Sequence, residues 1–252
     1  MDLHSVFEFL ENKRGRPVPF LYKLAHEPDS IKEEDLIVEG DLILNGTNIK
    51  KLPDDLTVTG SFIIYGDIGL KKLPKGLFVE EILDITGVNL TEIPKDLVVG
   101  RSLRLAHLNH LKKFPKGLIL PPKVSLMDLP LMRTLEGDWR RVRDLHISRM
   151  NIEKFPLNNI ENLRDLHLSY VTAEGLPEGL HLHDLQLAYC LDKIGNIPKN
   201  LTVTGTLKII QPPQETRDLD NFIKELRARI EAEGGNVHRI GVSAGIGKFR
   251  IG

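Results

Sequence analysis

A Leu-Pro pair, or a close variant of it, returns along this chain at nearly constant intervals. Successive prolines lie 20 or 21 residues apart, with one interval of 41 residues where Glu136 stands in the expected slot. A period of this size is typical of a solenoid, in which each unit buries its apolar edge by stacking on its neighbours. The chain is therefore predicted to form a solenoid. The prolines are Pro53, Pro74, Pro94, Pro115, Pro156, Pro177 and Pro198.

Each repeat predicts a corner followed by two short strands. The proline leads into a two-residue turn whose second position is Gly, Asp or Asn, residues that accept a left-handed backbone or cap a turn with the side chain. Two alternating apolar pairs follow, for example Leu56 with Val58 and Phe62 with Ile64. This alternation places one face of a short strand in the core and the other in solvent.

The middle repeats differ from the outer ones. Residues 142–147, 163–168 and 182–187 read L-x-x-L-x-L, with Val or Ile at two of the Leu positions. The outer repeats carry one extra residue before the second strand, and this residue is often glycine, as a bend or bulge requires. We therefore expect the outer coils to bend differently from the middle three. The glycines are Gly40, Gly60, Gly100 and Gly205.

These motifs resemble the leucine-rich repeat, and the short period with Leu-Pro corners is similar to its bacterial, LPX-type subclass. That subclass occurs in type III effectors of enterobacterial pathogens and in related bacterial and phage proteins. The resemblance covers roughly residues 36–211. It implies a leucine-rich-repeat-like β solenoid of the α/β class, with short parallel strands and helical caps at both ends. The chain departs from the family at the position that usually holds Asn or Cys, because only Cys190 fits it.

Three segments are predicted from the patterning. Residues 1–35 read as a helical N-terminal cap, since Leu3, Val6, Phe7 and Leu10 share one helical face. Residues 36–211 form the solenoid, with about eight or nine right-handed coils. Residues 212–252 read as a C-terminal cap, in which an amphipathic helix is followed by short strands.

Composition excludes several classes of protein. The formal net charge is −1, which gives no overall attraction to nucleic acid or to an anionic membrane. The single cysteine, Cys190, rules out an intramolecular disulfide framework and fits a reducing compartment. No signal peptide is visible at the N-terminus, and no apolar run reaches the roughly 18 residues of a membrane helix. We expect a cytoplasmic location, in the producing cell or in a host cell.

The solvent-facing strand positions carry the candidate binding residues. In the middle repeats they form a column of Asp, a neighbouring column of His and Gln, and a further set rich in Tyr and Arg. Aromatic residues and Arg dominate the energetics of protein interfaces. We therefore predict that this face binds another protein through Tyr65, Arg104, His107, Asp144, His146, Arg149, Asp165, His167, Tyr170, Asp184, Gln186 and Tyr189.

No residue pattern indicates an enzyme. The sequence has no nucleophile elbow, no paired catalytic carboxylates and no Cys-His pair, and we expect neither a cofactor nor a metal. Cys190-Leu191-Asp192 matches the Cys-x-Asp of the ubiquitin-ligase domain found in some effectors, but it lies inside a repeat. The Asp and His columns leave a divalent metal open as an alternative, because both residue types are metal ligands.

The favoured function is non-catalytic protein recognition, and the resemblance implies a bacterial or phage protein that binds and modulates a host factor. Two alternatives stay open. A structural or assembly component, such as a phage particle protein, would self-associate through its caps. A nucleic-acid binder would use the lysines beside the corners, for example Lys71, Lys72 and Lys154, although interspersed acidic residues argue against this.

Overall fold

The structure is a computed structural model that describes residues 18–46, 49–66, 69–153, 155, 159–195, 197–211, 219–244 and 249–251. The helix predicted from Leu3 to Leu10 and the corner lysine Lys154 lie outside the described residues. In chain order the elements are α1 (Phe20–His26), 3₁₀ turns Pro28–Ser30 and Glu33–Leu36, β1 (Ile37–Val38), β2 (Leu42–Asn45), β3 (Thr57–Val58), β4 (Phe62–Tyr65), β5 (Phe78–Val79), β6 (Ile82–Thr86), β7 (Val98–Val99), β8 (Ser102–Ala106), β9 (Lys123–Met127), β10 (Asp144–Ser148), β11 (Asn151–Ile152), β12 (Asp165–Ser169), β13 (Thr172–Ala173), β14 (His181–Leu182), β15 (Asp184–Ala188), β16 (Thr202–Gln211), α2 (Leu219–Ala232), β17 (Asn236–Ala244) and β18 (Phe249–Ile251).

One long sheet runs the length of the described chain. Its order is β2-β4-β6-β8-β9-β10-β12-β15-β16-β17-β18, so that each turn adds a strand beside the strand of the previous turn. Pairing is parallel throughout except between β17 and β18, which are antiparallel. A second, shorter parallel sheet stacks β1, β3, β5 and β7. The fold is therefore a parallel-strand β-solenoid of about 8 turns, with few helices among the described residues.

The predicted apolar pairs fill the interior of the coil. Phe62 and Ile64 of β4 are fully buried, and Leu83 and Ile85 of β6 stack on them in register. Because strand side chains alternate between faces, the residues between them face outward. The irregular coil around Glu136 is filled by Trp139, which is fully buried and donates its indole N–H to the Leu135 carbonyl at 3.2 Å.

The corner turns use both devices predicted for them. Asp55, Gly76, Gly117, Gly179 and Asn200 have positive φ angles, between 55° and 79°. The remaining corner residue, Asp96, accepts the backbone N–H of Gly76 through Oδ2 at 3.0 Å. Left-handed residues thus occupy five of these corners, and the Asp96 carboxylate caps the corner of the previous coil.

The glycines before the second strand have a further role that the bulge prediction does not include. A register shift between Val203 and Thr206 confirms a bulge at Gly205. A Cβ placed on Gly100, however, would lie only 1.9 Å from the carbonyl oxygen of Glu80 in the previous coil. Such glycines allow the backbones of successive coils to touch.

The predicted amphipathic helix near the C-terminus is present as α2. Ile223, Leu226 and Ile230 are its buried face. The helix connects β16 to β17, and Arg227 of the helix donates a hydrogen bond from Nη1 to the Val237 carbonyl of β17 at 2.7 Å. The helix therefore forms the crossover connection between two neighbouring parallel strands of the sheet.

Among the described residues, no helix has the length and apolar character that a membrane span requires.

Candidate functional site: the strand face

Unshifted register on β10, β12 and β15 places the predicted residues in columns. Asp144 pairs with Asp165, which pairs with Asp184. Two positions further along, His146, His167 and Gln186 align in the same way. Arg104 of β8 lies in this second column, opposite Ser125 of β9 and Asp84 of β6. The structure therefore brings these predicted residues together on one surface.

The Asp column has a structural role that the sequence did not indicate. Oδ1 of Asp165 accepts the backbone N–H of Asp184 at 3.2 Å, and Oδ1 of Asp184 accepts that of Thr206 at 2.8 Å. At the other end of the sheet, Asp41 accepts the N–H of Ser61 at 2.7 Å. Each of these carboxylates thus bonds the residue in its own column on the next strand. This bonding helps to hold neighbouring coils together.

Negative charge accumulates along the Asp column. Burial, a hydrogen bond with Asp144, and the charges of Asp144 and Asp184 together raise the pKa of Asp165. Arg143 and Arg164 directly precede Asp144 and Asp165 in the chain, but among the described residues neither forms an ion pair. Lys123 of β9 lies opposite Asp144 in the same column, and Nδ1 of His183 lies 3.7 Å from Asp165 and 3.3 Å from Asp184.

The possible metal ligands that the structure brings together differ from the set that the sequence suggested. Asp165, His183 and Asp184 each have one ligand atom within 4.8 Å of the others. His146 and His167 are not members of this group. The carboxylates of Asp165 and Asp184 already accept backbone N–H groups, which explains their position in structural terms.

His146 and His167 form a stacked pair at the centre of the face. Their ring centroids lie 4.2 Å apart with an angle of 29° between the planes. Burial lowers the pKa of both rings, and their mutual proximity further lowers that of His146. Because an ordinary histidine already titrates below pH 7, both rings are neutral there. The pair therefore presents a neutral aromatic surface.

The residues that follow the strands form a third column, which we call the left-handed column. Each member directly follows one strand of the main sheet and has a positive φ angle. Tyr65 was predicted to belong with these residues but lies one position earlier, paired with Thr86, because Gly66 takes the left-handed position. The column consists of Gly46, Gly66, Gly87, His107, Asp128, Arg149, Tyr170 and Tyr189.

Side chains of the left-handed column contact one another between adjacent strands. The rings of Tyr170 and Tyr189 stack at 4.7 Å and are inclined by only 11°. Nδ1 of His107 lies 2.9 Å from Oδ2 of Asp128. Asp128 was missed from the sequence because the repeat is irregular there, yet its spacing from Leu126 equals that of His107 from Leu105. This two-residue spacing after the buried Leu is the sequence signal from which Asp128 could have been predicted.

The face changes character along the solenoid. On the first strands it is apolar, with Ile43, Tyr65 and Ile82 each at least 40% exposed. An ion pair at 3.4 Å between Arg104 and Asp84 begins the polar region. The middle strands then carry the aspartates, the histidine pair and the tyrosine pair. The surface therefore offers apolar, charged and aromatic zones in a fixed order.

Two other features singled out in the sequence are the lysines beside the corners and Cys190. Five lysines, at positions 50, 51, 71, 72 and 75, line an open groove together with Asp54, and Lys72 is ion-paired with Glu92. Cys190 is fully buried, and burial raises the pKa of its thiol to about 11. The thiol is therefore protonated at neutral pH and poorly suited to nucleophilic chemistry.

The fold and this face define the class of the protein as a parallel-strand β-solenoid with an ordered, partly aromatic sheet surface. Comparison with protein-family models, with curated proteins and with solved structures finds no match for the chain.

Proposed function

We propose that this chain is a leucine-rich-repeat-like recognition protein that binds another protein through the strand face of β10, β12 and β15. The observation that carries the proposal is the in-register surface on which the His146–His167 and Tyr170–Tyr189 stacks lie beside the Asp column. Ordered aromatic groups lose little conformational entropy on binding, which favours their use at interfaces.

The accessibility of the face supports the same function. Tyr170 is 50% exposed, and His146 and His167 are partly exposed. The face carries aspartates beside aromatic rings, so it does not favour a polyanion. The proposed action of the protein is binding without catalysis.

The proposal is tested by replacing His167, Tyr170 and Tyr189 together with alanine. These side chains lie outside the core, so we expect the thermal unfolding midpoint to change little while capture of the partner from a host lysate is lost. A matched triple variant at the corner lysines Lys71, Lys72 and Lys75 should capture the partner as the natural chain does. Capture that survives the first variant would remove the assignment to this face.

The wider biological setting rests on the resemblance alone. We propose a bacterial or phage protein that acts in the cytoplasm on a host factor, with residues 1–35 and 212–252 serving as caps. Recovery of a specific protein from lysate of the natural host, and not from an unrelated lysate, would support this setting.

A second candidate function is assembly with other copies of the chain, for which a separate observation exists. On the short sheet, Ile37, Phe78 and Val98 occupy one outward column and are 61%, 39% and 44% exposed. Rows of exposed apolar residues favour association. Light scattering that shows an oligomer, lost on changing Phe78 and Val98 to Asp or on deleting residues 214–252, would favour assembly over recognition.

A further inference from the structure

From Gly87 to Tyr189, the left-handed column has the same backbone role on each strand. The N–H of Gly87 donates to the Ala106 carbonyl of the next strand at 2.9 Å. The N–H groups of Arg149 and Tyr170 donate in the same way, to Ser169 and Ala188, both at 2.9 Å. Glycine and non-glycine residues thus make the same hydrogen bond. The backbone geometry therefore needs no side chain at this position.

Glycine is the residue that this position favours energetically. The φ angles of the non-glycine members lie between 53° and 55°, where a Cβ approaches its own carbonyl oxygen and lowers stability. The first three strands use Gly46, Gly66 and Gly87. The next five strands carry side chains in spite of this cost, and those side chains project from the edge of the face. Strained residues of this kind are found at functional sites.

We infer that Arg149, Tyr170 and Tyr189 are the specificity-determining residues of the binding face, and that they recognise an extended protein segment with a carboxylate beside an apolar side chain. The inference rests on the proposed function and names the chemistry of its partner. The remaining members of the column, His107 and Asp128, pair with each other, with His107 Nδ1 2.9 Å from Asp128 Oδ2.

Charge complementarity selects the carboxylate. Among the described residues no carboxylate forms an ion pair with the exposed guanidinium of Arg149. Arginine binds carboxylates with two parallel hydrogen bonds, and a stacked tyrosine pair offers a flat apolar surface next to it. Three adjacent strands, about 4.8 Å apart, span roughly 10 Å, the length of about three extended residues. A carboxylate and its apolar neighbour in one segment can therefore reach both features.

The test uses the full chain and a phage-displayed library of random peptides, each roughly ten residues long to exceed the span of the three strands. We expect the enriched peptides to carry Asp or Glu next to an apolar residue. Their affinity should fall by at least about tenfold for Arg149→Gly and for Tyr170→Gly, since each change removes one of the two contacts. Arg149→Gln should weaken binding equally, because it removes the charge.

Stability measurements separate the side-chain role from the backbone role. Arg149→Gly should raise the urea midpoint of unfolding, whereas Arg149→Gln should leave it unchanged, since glutamine keeps the Cβ. Asn200→Gly is the matched control, because Asn200 also has a positive φ, of 55°, but lies at a corner and not on the strand face. The Asn200→Gly protein should therefore gain stability and bind the peptides as tightly as the natural chain.

Three results would overturn the inference: no enriched peptide, enriched peptides without a carboxylate, or peptides that bind Arg149→Gly as tightly as the natural chain. If host-lysate capture is nevertheless lost in the His167, Tyr170 and Tyr189 variant, the proposed function stands and only the inferred chemistry fails. If that capture is unchanged, the proposed function itself fails.

Discussion

Replacing Gly100 with alanine tests how closely successive coils approach. The added Cβ would lie 1.9 Å from the Glu80 carbonyl oxygen and 2.9 Å from its carbon, where an ordinary contact is 3.4–4 Å. Both atoms belong to the backbone, so no side chain can rotate away. The coils must separate, which strains the hydrogen bonds from Gly100 to Val79 at 2.9 Å and from Arg101 to Glu81 at 3.0 Å. Overpacking costs about 1–3 kcal/mol, and each weakened hydrogen bond costs about 1 kcal/mol. We expect a loss of roughly 3 kcal/mol or more in the free energy of unfolding.

Two matched glycines make the prediction specific. Gly87 has a φ of +69° and no atom within 4 Å of an added Cβ, so Gly87→Ala should cost only about 1 kcal/mol from backbone strain. Gly175 has neither a positive φ nor a nearby atom, so Gly175→Ala should be neutral or stabilise by about 0.5 kcal/mol. Urea unfolding followed by circular dichroism measures all three. A Gly100 variant no less stable than the Gly87 variant would refute the close approach of the coils.

The remaining predictions concern the strand face. Because burial lowers the pKa of His146 and His167, the unfolded chain binds protons more readily, so stability should be constant above about pH 6.5 and fall as the pH drops below it. The double variant His146→Gln/His167→Gln should flatten that fall in thermal melts between about pH 7 and pH 5, and an unchanged slope would contradict the assigned direction. Asp184→Ala should cost about 1 kcal/mol, because the N–H of Thr206 loses its acceptor at 2.8 Å. Asp184→Asn keeps an oxygen at that position and should cost less in the same unfolding experiment; equal losses would show that charge, and not this hydrogen bond, explains the effect.

The repeat period and the alternation of apolar residues were sufficient to predict the solenoid, because both reflect local geometry. The corner residues Asp55 and Asn200 were predictable for the same reason, since few residues accept a positive φ. The role of Gly100 was only partly predictable. Its sequence position indicates a bulge, whereas the contact with Glu80 depends on how the previous coil is placed.

The candidate site was predictable in its columns but not in its details. In-register stacking of similar repeats was enough to align Asp165 with Asp184. The left-handed backbone of Tyr170 was hidden, because tyrosine gives no sequence signal for a positive φ. Likewise, the sequence suggested His146 and His167 as possible metal ligands beside the aspartates, whereas the cluster that the structure forms contains His183. Such contacts depend on rotamers and neighbouring strands, which spacing alone does not determine.

Site-specific photocrosslinking tests the central claim most directly. A photoreactive amino acid placed at Tyr170 on the strand face, or at Lys116 near a corner, reports which surface a partner touches. In lysate of the natural host, we expect a discrete cross-linked species from position 170 and none from position 116. A cross-link to the same partner from position 116 but not from position 170 would contradict recognition through the strand face.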